Sequence, residues 1–186
     1  MKRLGVWIAV LVLLSGCSAE PEELRQGMEL RGNMLQAEQF CFQAEITADY
    51  GEQVHCFSMD CTADAQGNVC FTVTEPDSIS GISGQIAQEG GTLRFDDTLL
   101  CFDLLTDDQL SPVAAPWILV RVLRSGYLRA ACKEEERVRL TIDDSYEEDA
   151  LTVDVWLDEQ ALPERGEILY DGRRILTLKL AGVSIV

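Results

Sequence analysis

The residues able to do chemistry here are cysteines, carboxylates and one imidazole. The chain has 186 residues, with seven cysteines, 32 acidic residues and a single histidine, His55. A Ser-His-Asp triad would have to use His55. That residue sits in an alternating, strand-like stretch, where it reads as a surface or packed side chain. Gly81-Ile82-Ser83-Gly84 lacks the final glycine of a nucleophile elbow, and no Ser-x-x-Lys motif is present. Adjacent acids such as Asp96-Asp97 and Asp107-Asp108 carry little information in so acidic a chain. The densest cluster is Asp143-Asp144-Ser145-Tyr146-Glu147-Glu148-Asp149. It offers the oxygens that calcium takes, but it lacks the spacing and glycine of an EF-hand loop, so it reads as a solvated hairpin turn. No acid, base and nucleophile can be assembled, and the chain reads as non-enzymatic, with no cofactor and no metal.

Cys17 stands apart from the other six cysteines: Cys41, Cys56, Cys61, Cys70, Cys101 and Cys132. An exported chain can use an even set as disulfides. Free buried thiols are the alternative. Zinc is disfavoured by Cys56-x4-Cys61 and Cys61-x8-Cys70, which are not zinc spacings, and by the single histidine. The expected pair is Cys61 with Cys132, because Cys61 lies on an apolar strand face and Cys132 closes the strand after a central helix. Cys41, Cys56 and Cys70 share the opposite face of neighbouring strands, so two of them can pair. Cys101 is then free or takes the remainder.

Cys17 owes its isolation to the segment before it. Met1-Lys2-Arg3 is a basic start, Leu4 to Leu14 is an apolar run, and Ser15 and Gly16 are small. This is the order of an export signal. A spanning helix needs about 20 apolar residues, so the run is too short for one. Leu14-Ser15-Gly16-Cys17 resembles the bacterial lipobox. That resemblance implies a diacylglyceryl thioether on Cys17, cleavage before it, and a lipid-anchored new N-terminus. Two acyl chains hold firmly, since burial yields about 0.8 kcal/mol per methylene and one chain alone is marginal. The expected organisation is a signal peptide over 1–16, a lipidated tether over 17–23 and one domain over 24–186. The expected place is extracytoplasmic, on the outer leaflet of the cell membrane, or on the outer membrane of a host with two. The partner called for is therefore the membrane, through Cys17.

Composition restricts the rest. A net charge of −17 argues against nucleic acid, whose phosphates need Lys and Arg. A hydrophobic content of 47% is too high for a disordered acidic tail. Periodicity supplies the elements that must position any site. Glu22–Ala37 reads as an amphipathic helix with Leu24, Met28, Leu35 and Leu30 near one face. Strand alternation follows in 40–49, 53–61, 69–74, 79–87, 92–96 and 98–105, joined by short turns. Ser111-Pro112 opens a central helix with the stripe Trp117, Ile118, Val120 and Leu123, and Ser125-Gly126 closes it. Strand patterns resume in 127–133, 137–142, 150–157, 164–170 and 173–185. The predicted class is α+β: a strongly curved antiparallel sheet of about 10–11 strands, with an N-terminal and a central helix on its concave face. Arg121, Arg124 and Arg129 beside the central helix suit an anionic head group, or equally a helix C-terminus and neighbouring acids.

This order, with the lipobox, resembles the LolA/LolB-like superfamily, including LppX-like lipoproteins and the amino-terminal domain of RseB-like regulators. The stretches that carry the resemblance are Phe42–Tyr50, Phe71–Pro76, Ile79–Ile82, Leu93–Asp96, Val153–Asp158 followed by Pro163, and Ile168–Gly172. The resemblance implies an open half-barrel with helices in its mouth and an apolar cavity between them, holding a lipid or other apolar ligand. From the residues, Phe42, Ile46, Phe57, Met59, Phe71, Val73, Leu93, Phe95, Leu123, Val153 and Val155 are candidates to line it. A stripe of this kind is more often a packed core than a pocket. RseB-like relatives imply the other reading, a sensor or interaction module that faces a membrane-protein partner and carries no lipid.

Overall fold

The computed structural model describes residues 21–103, 105–106, 109–147 and 150–186. The expected signal peptide and Cys17 lie outside the described residues. Helix α1 covers Glu22–Gln36. Glu22 and Glu23 sit in its first turn, where negative charge complements the helix dipole, and Arg25 bridges Glu22 and Glu29 along the exposed face. The buried face differs from the one expected. Gly27, Leu30 and Met34 are buried, whereas Met28 and Leu35 point to solvent. Gly27 sets this rotation: a Cβ there would come within 2.9 Å of the Leu140 side chain, so the helix approaches the sheet along its missing side chain.

Six strands follow as a meander: β1 (Gln39–Asp49), β2 (Val54–Asp64), β3 (Val69–Glu75), β4 (Ser83–Ala87), β5 (Gly90–Phe95) and β6 (Thr98–Phe102). The pair β7 (Leu105–Thr106) and β8 (Gln109–Leu110) forms a separate two-stranded sheet. A 3-10 turn at Pro112–Ala114 leads into helix α2 (Ala115–Ser125). Ser111 occupies the expected start, with its carbonyl accepting from Ala114 rather than its hydroxyl capping the helix. The second meander is β9 (Tyr127–Glu134), β10 (Arg137–Asp143), β11 (Thr152–Leu157), β12 (Pro163–Tyr170) and β13 (Arg173–Ile185).

All eleven long strands join one antiparallel sheet in the order β6-β5-β4-β3-β2-β1-β13-β12-β11-β10-β9. The two meanders meet where β1 pairs with β13, with Ile46 opposite Leu178. Helix α2 lies across the inner face, against β2, β13 and β10. Among the described residues the sheet does not close: β6 and β9 are its two edges. The fold is thus α+β, a curved open sheet with two helices, as the periodicity predicted.

Alternation builds the strands. Phe40, Phe42, Ala44, Ile46 and Ala48 of β1 are buried, and the residues between them are not. Gly84 in the fourth strand has a packing reason. A Cβ there would run into the Thr92 carbonyl oxygen and the Phe71 ring, so only glycine lets β4 lie between β3 and β5. The strand expected over 79–87 accordingly shortens to Ser83–Ala87, with 79–81 in a turn.

Candidate functional site

The inner face is filled by α2. Ile118, Leu119, Val120 and Val122 are essentially without solvent contact, and Trp117 and Leu123 are buried beside them. A helix apolar around most of its circumference belongs inside a core. Of the expected cavity residues, Phe42, Ile46, Phe57, Met59, Phe71, Val73, Leu123, Val153 and Val155 all join this one buried cluster. Leu93 is half-buried and packs against the cluster. Phe95 departs from the expectation and is 51% exposed. It has the inward phase of Leu93 but lies at the tip of the β5–β6 hairpin, opposite Thr98, beyond the reach of the core.

Two arginines fasten the helices to each other. Arg31 of α1 donates from Nε to the Leu123 carbonyl at 2.9 Å and from Nη2 to that of Val122 at 3.2 Å. Arg124 of α2 donates from Nη1 to the Met34 carbonyl at 2.8 Å and from Nη2 to that of Ala65 at 2.5 Å. Arg31 satisfies two carbonyls and Arg124 one at the C-terminal end of the other helix, where positive charge is also favoured by the dipole. Burial draws the Arg31 guanidinium below its ordinary value, and it stays charged across the working pH range.

The neighbouring arginines are committed within the chain as well. Arg121 pairs with Asp144 and lies 4.7 Å over the Trp117 ring. Arg129 reaches Asp143 at 3.3 Å. Of the two sequence readings for these side chains, the contacts are those of helix ends and neighbouring acids. The acidic stretch from Asp143 joins β10 to β11, with Asp144 accepting from the Leu151 N–H at 2.8 Å and Asp143 from the Thr152 hydroxyl at 2.8 Å. Among the described residues, no group of three His, Cys, Asp or Glu side chains is placed to hold a metal ion. His55 is exposed on β2, opposite Ala48.

The outer face is a lattice of ion pairs over its second half. Arg137 meets Glu164 at 2.7 Å, Arg139 meets Glu134 at 3.0 Å, and Glu167 accepts from both Arg165 and Arg174. Arg165 also stacks 4.7 Å over Trp156. A polar groove of about 360 Å³ crosses the middle strands on this face, lined by Gln43, Glu45, Asp60, Glu75 and Lys179. Its one lysine is held by Glu45 at 2.7 Å.

The expected Cys61–Cys132 pair does not form, and all six described cysteines are free. Cys61 is buried on the inner face of β2, where desolvation and the nearby Asp60 push its thiol up. Cys132 is opposite Arg139, whose neighbour Leu140 is buried, so Cys132 faces outward. Five strands lie between β2 and β9. Cys41 and Cys70 do share the outer face, but they flank Thr62 from opposite sides. Two inter-strand steps of about 4.8 Å exceed the reach of a disulfide.

The two sheet edges differ. At β9, Arg129, Lys133 and Glu134 place charge along the edge, the usual guard against further pairing. At β6 the sequence Thr98-Leu99-Leu100-Cys101-Phe102 has no charge and no proline. Leu99 is 59% exposed and Leu100 is 56% exposed. Leu100 shares the inner face with its partner Leu93, at an end of the sheet that α2 leaves uncovered. The strand pattern over 98–105 does not by itself distinguish an edge from a centre, because an apolar edge and an apolar centre share one composition.

These features define a class: an open antiparallel sheet wrapped over a buried helix, with one guarded and one unguarded edge. No protein-family model matches the sequence, and no curated protein matches it either. Solved structures of similar fold do exist. One is an uncharacterized conserved protein from Thermus thermophilus, at 12% identity and TM-score 0.47, with 89% of this chain and 88% of that chain covered. Another is a LolA superfamily protein from Nitrosomonas europaea, at 9% identity and TM-score 0.46, covering 86% and 93%. A third is the lipoprotein LppX from Mycobacterium tuberculosis, at 12% identity and TM-score 0.41, covering 87% and 92%.

Proposed function

We propose that this chain is a lipid-anchored extracytoplasmic binding protein, without catalytic activity, whose sheet meets a protein partner at the membrane surface. The anchor is the thiol of Cys17, read from the apolar run and small residues that precede it. The observation that carries the binding mode is the filling of the inner face by α2, with Leu119 and Val120 buried where a carried ligand would lie. Among the described residues, the outer face and the β6 edge remain available to a partner.

A second reading, an apolar ligand held on the inner face, is supported by Leu93, Phe95 and Leu100, which α2 leaves partly uncovered. Native mass spectrometry of the full chain purified in mild detergent separates the two. An unliganded mass, beyond the acyl groups on Cys17, agrees with the first reading. A co-purifying lipid that Leu100→Asp expels supports the second and overturns the first. For the anchor, Cys17→Ser is expected to move the chain from the membrane to the soluble extracytoplasmic fraction. Unchanged membrane attachment would sink it.

A further inference from the structure

Among the described residues, strand β6 bonds to β5 alone in its sheet. The hairpin between them has Phe95 opposite Thr98 and Leu93 opposite Leu100, with Asp96 and Asp97 as its two loop residues. In such a hairpin the closing pair is hydrogen-bonded and alternate residues turn their backbone groups away. Leu100 therefore bonds to β5, while Leu99 and Cys101 present N–H and C=O outward. Proteins usually blunt an edge of this kind, and β9 is blunted while β6 is not.

The charges around β6 narrow its occupant. Asp96 and Asp97 stand at one end, and Asp103 and Glu89 at the other, all exposed, with Arg94 the basic residue on the neighbouring strand. A second copy pairing antiparallel through β6 would bring the acids of one copy against those of the other. Like charges brought opposite each other are destabilising. An incoming strand that is apolar in its centre and basic at both ends meets Leu99, Leu100 and the acids together.

We propose that the β6 edge accepts an extended segment of a partner protein, apolar in the middle and carrying Lys or Arg at each end, as an added strand. The proposal rests on the interaction reading above and names the partner's chemistry. The backbone of Leu99 and Cys101 supplies the register, and the flanking acids supply the selectivity.

The test uses the full chain in detergent and the peptide Lys-Lys-Val-Thr-Val-Thr-Val-Lys-Lys, with a Glu-flanked version as control. The Lys-flanked peptide is expected to bind about tenfold more tightly, the sum of a few exposed charge pairs. Hydrogen exchange should show new protection at the Leu99 and Cys101 amides, with Leu100 already protected before binding. Leu99→Pro removes an outward N–H without touching the β5 ladder and should weaken binding about tenfold. The pair Asp97→Lys and Asp103→Lys, at exposed positions, leaves one acid and one lysine at each end and should abolish the preference between the peptides. Protection elsewhere, such as the β1–β13 groove, overturns the edge assignment but leaves the interaction reading standing. Equal binding of both peptides, absence of binding, or a self-dimer abolished by Leu99→Pro overturns the proposal.

Discussion

Arg31 and Arg124 cap one another's helices: Arg31 donates to the Val122 and Leu123 carbonyls and Arg124 to that of Met34, where the other's helix ends. The two helices meet the sheet as a fastened pair, and Arg124 adds the β2–β3 turn through Ala65. Removing either side chain strips donors from partly buried carbonyls. Arg31→Ala and Arg124→Ala should each cost about 1–3 kcal/mol in urea unfolding. Lysine at 124 should restore only part, because one ammonium cannot reproduce the planar fork. The double variant is expected to cost less than the two singles combined, since breaking one end loosens the other. Strict additivity would show that the arginines act separately.

The turn between β2 and β3 is held by Asp64. Its carboxylate accepts from the Gln66 and Asn68 N–H groups at 2.9 Å and from the Asn68 amide at 2.9 Å. Desolvation raises this carboxyl, but the hydrogen bonds from Asn68, Gln66 and Gly67 outweigh it and hold it below the usual carboxylate range. A depressed folded value means that the carboxylate stabilises fully above about pH 4. That contribution is lost as pH falls through the folded value. Asp64→Ala should therefore lower the urea midpoint at pH 7, by about 1 kcal/mol of stability, and the gap to wild type should narrow below pH 4. A gap independent of pH would refute the role.

Gly84 has no room for a methyl group between the Thr92 carbonyl and the Phe71 ring. Gly84→Ala should destabilise by about 1–3 kcal/mol or more. Phe71→Leu should rescue little of it, because the backbone oxygen still blocks the Cβ. Thermal melts of the three variants decide this.

The thiols should react in an order set by exposure. Cys56, Cys70 and Cys101 are exposed and should label with maleimide in the folded chain. Cys61 should label only in denaturant, since burial removes both access and thiolate. Peptide mapping without reduction should recover no Cys61–Cys132 link.

How much of this was legible in the sequence depends on what each feature asks of a residue. The strands and both helices are visible because a buried face forces a period of two or 3.6. Phe42, Ile46, Met59 and Val155 all fall where alternation places them. Cys132 does not, and the reason is local. Leu128 faces inward opposite Ile142, and counting by twos from it would put Cys132 inward too. The register slips between Thr141 and Ile142, so Ala131 takes the inward place and Cys132 turns out. One extra residue reverses every side chain beyond it, and composition does not reveal it. Phe95 and Leu100 escaped for another reason. Their apolar character was plain, but whether a helix reaches that end of the sheet is decided by tertiary packing. Gly27 was invisible in the same way, since its value lies in what Leu140 occupies.

The pairing of β1 with β13 also bears on how the molecule comes into being. Glu45 and Lys179, joined across that seam, stand 134 positions apart. A chain threading outward from its front end would present β1 long before its mate emerges. The seam between the two halves can close only once β13 is present, whereas each meander pairs neighbouring strands on its own. Loop closure of that span favours slow maturation, and until it is done the molecule shows a raw central border to whatever chaperone or protease is near.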